Sequence, residues 1–258
     1  MLVTSRHVAE YRAFLGLTDA ELFGPGPRGS TPGDAARRIL DCSAGASGFA
    51  AAVNAAGGSV TAVDPAYGDL AALRTDVEAS FTGGNALIDA HSDAFTWDWY
   101  GSPAARQVLR DEARASFLAD LTANSGTYVP GALPDLPLPD DAFDLAVTSH
   151  LLFTWADVAV DTPTGRAVFD EAWHHAALLE LLRVAPEVRV FPLVRQGDGA
   201  DVPFLPRLLE TLQADGHTAE VRRVAYEFQR GADQMLVLRR CAPATARDTP
   251  WEHATPGT

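Results

Sequence analysis

Two carboxylates flanking a run of small residues are the first features of this chain equipped to do chemistry. Asp41 follows Arg38-Ile39-Leu40 and opens the loop Cys42-Ser43-Ala44-Gly45-Ala46-Ser47-Gly48. Gly45 and Gly48 let a backbone approach a ligand closely and reach φ values that a Cβ forbids. The Ala-rich stretch 49–56 then reads as a helix, stopped by Gly57-Gly58. Its first unpaired N–H groups and positive dipole end point at whatever the loop holds. Asp64 closes the β-branched run Ser59 to Val63, sixteen residues past Gly48. A carboxylate at the end of a second strand can accept the two hydroxyls of an adenosine ribose. The glycines do not space as G-x-G-x-x-G, which disfavours a pyrophosphate ligand. A βαβ unit that packs without any ligand is the plain alternative.

A second centre is Ser149-His150, at the end of the apolar run 143–149. Open α/β sheets place ligands at the carboxyl ends of their strands, so His150 is the best-placed general base in the chain. A histidine there can equally serve only to hydrogen-bond a loop. Asp89, His91, Asp93, Trp97, Asp98, Trp99 and Tyr100 form a polar-aromatic knot suited to an amine or aromatic substrate. Tyr67 and Phe153 are the other candidate substrate contacts. The duller reading of the knot is a helical cap held down by its tryptophans. Glu171 and His175 stand one helical turn apart beside His174 but lack a matching third ligand, so no metal is expected. Cys42 reads as a small buried thiol rather than a nucleophile.

The elements that must position these groups alternate in type. A helix begins near Thr4 to Glu10, capped by Thr4 or Ser5, with Val8, Tyr11 and Leu15 at helical spacing. A short second helix starts at Thr18, with Glu21 completing a capping box. The Gly/Pro-rich stretch 24–33 is a loop. Past Asp64 the pattern predicts a helix over 69–81, a break at Gly83-Gly84, continued helix over 85–97 and a helix over 104–121. Strands are expected at 127–129, 143–149, 188–193, 220–228 and 235–239, and helices at 170–184 and 203–214. The segment 66–126 is much longer than the usual link between two strands, and such an insertion near a ligand end suits a substrate lid. The stretch 1–34 reads as a helical cap, 35–242 as the main domain and 243–258 as a disordered Pro/Thr-rich tail.

The chain has 258 residues, enough for one α/β domain with additions, and 47% apolar residues to fill its core. A net charge of −14 argues against nucleic acid, which demands clustered Lys and Arg, and no Asn/Asp-Pro-Pro-Tyr/Phe motif is present. The two cysteines form no CxxC pair. The N-terminal stretch carries charges throughout, so no signal peptide is expected, and no apolar run is long enough to span a membrane. A cytoplasmic protein, monomeric or homodimeric, acting on a small molecule is the default.

The stretch 39–67 resembles motif I of the class I S-adenosylmethionine-dependent methyltransferases, D-x-G-x-G-x-G. Asp41, Gly45 and the acid Asp64 match; Ser43 and Ser47 replace the outer glycines, and Gly48 comes one place late. Gly131 to Asp144 resembles the family passage G-D-A-x-x-L-P-F-P-D-x-S-F-D, with Ala132 where the acid is usual. The resemblance covers about residues 35–240. It implies a Rossmann-like seven-stranded, mostly parallel sheet of order 3-2-1-4-5-7-6, its last strand antiparallel, flanked by helices. It also implies S-adenosylmethionine as cofactor and S-adenosylhomocysteine as product. Tyr11, Asp41, Ser43, Ala44, Gly45, Gly48, Asp64, Pro65, Leu133 and Ser149 would then hold the cofactor. Methyl transfer to a small molecule, in bacterial secondary metabolism, is the expected activity. The alternatives are non-methylating chemistry on the same fold, such as ring closure or hydrolysis of an amine substrate, and a non-catalytic relative.

Overall fold

The computed structural model describes residues 3–24, 36–90, 95–162 and 165–241. Its centre is a seven-stranded sheet. In chain order its strands are β1 (Arg38–Cys42), β2 (Ser59–Val63), β3 (Tyr128–Val129), β4 (Leu145–Ser149), β7 (Glu187–Phe191), β8 (Thr218–Arg223) and β9 (Gln234–Arg239). They lie side by side as β3-β2-β1-β4-β7-β9-β8. β1 pairs in parallel with β2 and β4, and β9 runs antiparallel to both of its neighbours. Counted without the separate hairpin β5 (Ala159–Thr162) and β6 (Gly165–Val168), this is the expected 3-2-1-4-5-7-6 order with the last strand reversed. The fold is Rossmann-like.

The central strands are apolar on both sides because both faces are covered. Ile39, Leu145 and Val147 point into one layer, under α1 (Val8–Leu15), α3 (Phe49–Ala55), α4 (Leu70–Ala90) and α5 (Pro103–Ala123). Leu40, Ala146 and Val188 point into the other, against α6 (Glu171–Val184) and α7 (Leu205–Ala214). The period of two along each strand thus divides one run of residues between two cores.

Several expected boundaries move. α1 is capped by His7, not by Thr4 or Ser5: His7 Nδ1 accepts the Ala9 N–H at 3.2 Å, and Glu10 takes the His7 N–H at 2.7 Å. Thr4 instead lies over the glycine loop, and Ser5 O accepts from Arg110. The helix expected to break at Gly83-Gly84 runs through to Ala90. Two glycines cost a helix about 1 kcal/mol each, too little to stop one of this length. Residues 95–97 are not part of the helix expected over 85–97. Thr96 donates its N–H to Phe228 O at 2.7 Å, and the Phe95 ring stacks on Phe228 at 4.5 Å. The strand expected over 220–228 ends at Arg223, so that 226–228 can receive this aromatic contact. The hairpin β5–β6 was not foreseen. The tail 243–258 and most of the loop 24–33 lie outside the described residues.

Arg189 stands in the buried strand β7 and fastens the corner between α1 and α2 (Asp19–Phe23) to the sheet. Its Nη1 donates to Leu15 O at 3.0 Å and Gly16 O at 3.3 Å, while Nη2 pairs with Glu21 and, at 2.8 Å, with Glu187. Removing one partner of such a set leaves the others desolvated and unpaired. Arg189→Ala is expected to cost about 3 kcal/mol, measured as a lower urea midpoint with an unchanged denaturant slope.

Candidate functional site

The carboxyl ends of β1, β2 and β4 meet under α1, and the two acids of the sequence motif come together there. Asp41 is buried at 1% exposure. Its Oδ1 accepts the Tyr11 hydroxyl at 3.2 Å, and its Oδ2 has no partner. Asp64 accepts the Gly45 N–H on one oxygen and the Ala66 N–H on the other, both at 3.0 Å. The glycine loop and the acid closing β2 are therefore in direct contact. Gly45 takes φ +58°, a left-handed conformation in which a side chain is strained.

The loop is roofed by the chain's own N-terminal segment. Gly48 N–H donates to Arg6 O at 2.9 Å, and Thr4 backbone atoms lie 3.6 to 3.8 Å from where a Cβ on Gly45 would stand. Tyr67 reaches back to donate its hydroxyl to Gly45 O at 2.7 Å. A Cβ on Gly48 would sit 3.0 Å from Ala113 Cα, so α5 is seated directly on the loop. Ala44, Ala46 and Ser47 are all buried, and Ser47 Oγ caps the Phe49 N–H at 3.0 Å. Tyr11 stacks on Phe49 with centroids 4.5 Å apart, and the hydroxyls of Ser47 and Ser149 stand beside its own.

His150 has φ +59°, and its N–H donates to Phe191 O at 2.7 Å. Its ring is held edge-on by Phe14 and Phe191, and Nδ1 has no partner. Burial, then the Arg6 and Arg110 guanidiniums, hold its pKa well below the usual histidine value, so the ring is neutral at physiological pH. Burial pushes the Asp41 carboxyl up to about 8, countered by the Tyr11 hydrogen bond and reinforced by Asp64. Burial also raises Asp64, against the two amides that lower it.

The structure gathers Tyr11, Asp41, Ser43, Ala44, Gly45, Gly48, Asp64, Pro65, Tyr67, Ser149 and His150 at these neighbouring strand ends and loops. Gly131 N–H reaches Asp64 O at 3.4 Å, which brings the passage 130–137 alongside. Leu133, however, packs into the second core with Leu136 and Val63. Phe153 corrects its expected role: it is fully buried, stacked on His174, and donates its N–H to His174 Nε2 at 2.9 Å. It is a core residue with no face for a substrate. Trp97 packs against Phe228. His91 and Asp93 lie outside the described residues, as does the side chain of Asp89. Cys42 is buried with its thiol raised by burial. Glu171 pairs with Arg207 and His175 with Asp215. Among the described residues no group of three or more His, Cys, Asp or Glu side chains could hold a metal ion, and no helix is long and apolar enough to cross a membrane. Sequence reading passed over Arg6, Glu10, Arg106 and Arg110, which ring the roof of the site. Val8, Tyr11 and Leu15 drew notice to α1, but nothing local linked it to α5.

Comparison with known proteins gives modest likenesses. No family model matches the chain. The uncharacterised protein MJ0045 of Methanocaldococcus jannaschii is 23% identical over 208 residues, covering 79% of this chain and 86% of that protein. The magnesium protoporphyrin IX methyltransferase of Synechocystis PCC 6803, solved with bound SAM, is 12% identical with a TM-score of 0.45, over 91% of this chain and 78% of that one. A SAM-dependent methyltransferase from Aquifex aeolicus is 14% identical with a TM-score of 0.38, over 90% and 97% of the two chains. At these scores the likenesses carry no activity across, and the fold rests on the strand order itself.

The acids give a pH dependence of stability. Asp41 has an unfolded value near 3.8 and a folded value of about 8, so between them the native state binds the extra proton. Its contribution to stability therefore falls as pH rises through that window. Asp41→Asn removes the effect. Urea melts are expected to show the variant's advantage over the wild type growing from pH 5 to pH 8, reaching about 1–3 kcal/mol.

Proposed function

We propose that the chain is an enzyme that holds S-adenosylmethionine over the glycine loop and transfers its methyl group to a small molecule. The observation that carries this reading is the unpartnered Oδ2 of the buried Asp41 near the carboxyl end of β1, with the hydroxyls of Tyr11, Ser47 and Ser149 beside it. The donor set fits the group: an acid for the ribose hydroxyls, and the unpartnered Oδ2 of Asp41 with Tyr11, Ser47 and Ser149 beside it for the amino-acid part. Bound there, the cofactor would supply an electrophilic methyl group. The rest of the catalysis would be positioning, since a near-attack geometry alone lowers a barrier greatly. His150, kept neutral, can accept a proton at Nδ1, but its depressed pKa makes it a weak base. It suits a nucleophile that is itself acidic, or one that needs only orientation.

A second reading has its own observation. The loop's N–H donors and the acid's acceptor oxygens are already engaged within the chain: Gly48 N–H donates to Arg6 O, Gly45 N–H to Asp64, and the two Asp64 oxygens accept the Gly45 and Ala66 amides. That arrangement favours an enzyme of the same fold that works on its substrate without the cofactor.

Titration calorimetry separates the two. The wild type is expected to bind S-adenosylhomocysteine, and Asp64→Asn to bind it about ten- to a hundredfold more weakly, the loss of charge-assisted hydrogen bonds. No heat with either S-adenosylmethionine or S-adenosylhomocysteine would overturn the methyl-transfer reading and leave the second.

A further inference from the structure

The roof of the site carries more positive charge than its own residues neutralise. Arg110 of α5 is buried, donating from Nη2 to Glu10 Oε1 at 2.7 Å and from Nη1 to Ser5 O at 2.6 Å. Glu10 is fully buried and also receives the Tyr100 hydroxyl at 2.5 Å; that hydroxyl lies 2.8 Å from the Tyr226 hydroxyl. Arg106, one turn before Arg110, has its guanidinium over the Phe228 ring at 5.0 Å. It has no carboxylate partner among the described residues, and its Nε is unpartnered. Arg6 is half-buried, bonded through Nη1 to Thr4 Oγ1, with its Nε also unpartnered.

Three guanidiniums therefore gather near one carboxylate, and only Arg110 pairs with it. Burying a charge without a counter-ion costs several kcal/mol, so folded chains avoid it unless something is repaid. The strain shows in the groups themselves. Burial and then Arg110 depress the Arg6 pKa, and the same two causes bring Arg106 down to about 10. The other acids nearby do not relieve the surplus: Asp41 is held protonated at neutral pH, and Tyr100 and Tyr226 are pushed further toward their neutral forms by burial. All this sits in a chain of net charge −14, where carboxylates were plentiful. The cluster adjoins the site, since Arg6 and Arg110 are the charges that act on His150.

We infer that Arg6, Arg106 and Arg110 bind an anionic group of the ligand, a carboxylate or a phosphate-type oxyanion, held between α1 and α5. This rests on the reading of the space under α1 as a ligand site, and it sets aside a simple cationic amine as the substrate. Planar guanidiniums are suited to such oxyanions, which they can grip with paired N–H donors.

Inorganic sulfate and phosphate test it directly. Thermal-shift titrations of the wild type are expected to show saturable stabilisation beyond that of sodium chloride at equal ionic strength. Arg106→Gln is expected to weaken the apparent affinity about tenfold, and Arg106→Lys less. Should Arg106→Gln fail to fold, Arg6→Gln, on the half-exposed N-terminal segment, carries the comparison. Two further arms locate the anion. If it is the carboxylate of the cofactor's amino-acid part, sulfate competes with S-adenosylhomocysteine, and the arginine variants weaken that ligand but not 5′-methylthioadenosine. If it belongs to the substrate, sulfate still binds the protein saturated with S-adenosylhomocysteine. Arginine-dependent sulfate binding in a protein that ignores S-adenosylhomocysteine upholds the anion site while the cofactor reading falls. Sulfate no better than chloride, or arginine variants that titrate like the wild type, overturns the inference.

Discussion

The pairing of Arg110 with Glu10 holds the site together. One residue comes from the long connection after β2 and the other from the first helix, a hundred positions apart. Their contact joins α1 and α5 over the same face of the sheet, and the backbone of Ser5 is fixed by the same guanidinium. With the Gly48 N–H bond to Arg6 O, this tie keeps the segment 3–7 over the glycine loop. Burial at the strand ends gives the contact its strength, because charges shielded from water must find partners inside the chain.

The same burial explains the odd titration of the site. A parallel sheet covered on both faces leaves its carboxyl ends as the place where polar groups converge. Asp41 and His150 are both placed there, and both are pushed toward their uncharged forms. Each retains an atom with no partner, Oδ2 on one and Nδ1 on the other. In a folded interior such atoms are few, and here one of them, on Asp41, lies beside the hydroxyls of Tyr11, Ser47 and Ser149.

The succession of elements around Gly45 and Asp64 was legible because it is local, whereas the order of the strands in the sheet was implied only by the resemblance. Strand, small-residue loop, helix, strand and acid all fall within thirty residues, and alternation along β1 and β4 is plain in the residue types. What escaped notice depends on distant partners. Arg189 reads as an interruption of an apolar strand until Leu15 and Glu21 are brought to it. Arg106 and Arg110 read as the polar side of α5, yet both face inward. His7 was overlooked as a cap since Thr4 and Ser5 are the better capping residues in isolation, and only the pull of the loop removes them. Phe153 sat near a strand end but turned to the opposite layer, where His174 accepts its amide.

The close fit of Gly48 against Ala113 has a bearing on how this architecture could change over time. The long insertion is not a detachable attachment to an older sheet. The helix α5 touches the motif loop backbone to backbone, with little room for a methyl group on Gly48. Any relative that shortens or replaces the connection carrying α5 must also reshape the loop, so the loop and its cover can only drift as a matched pair.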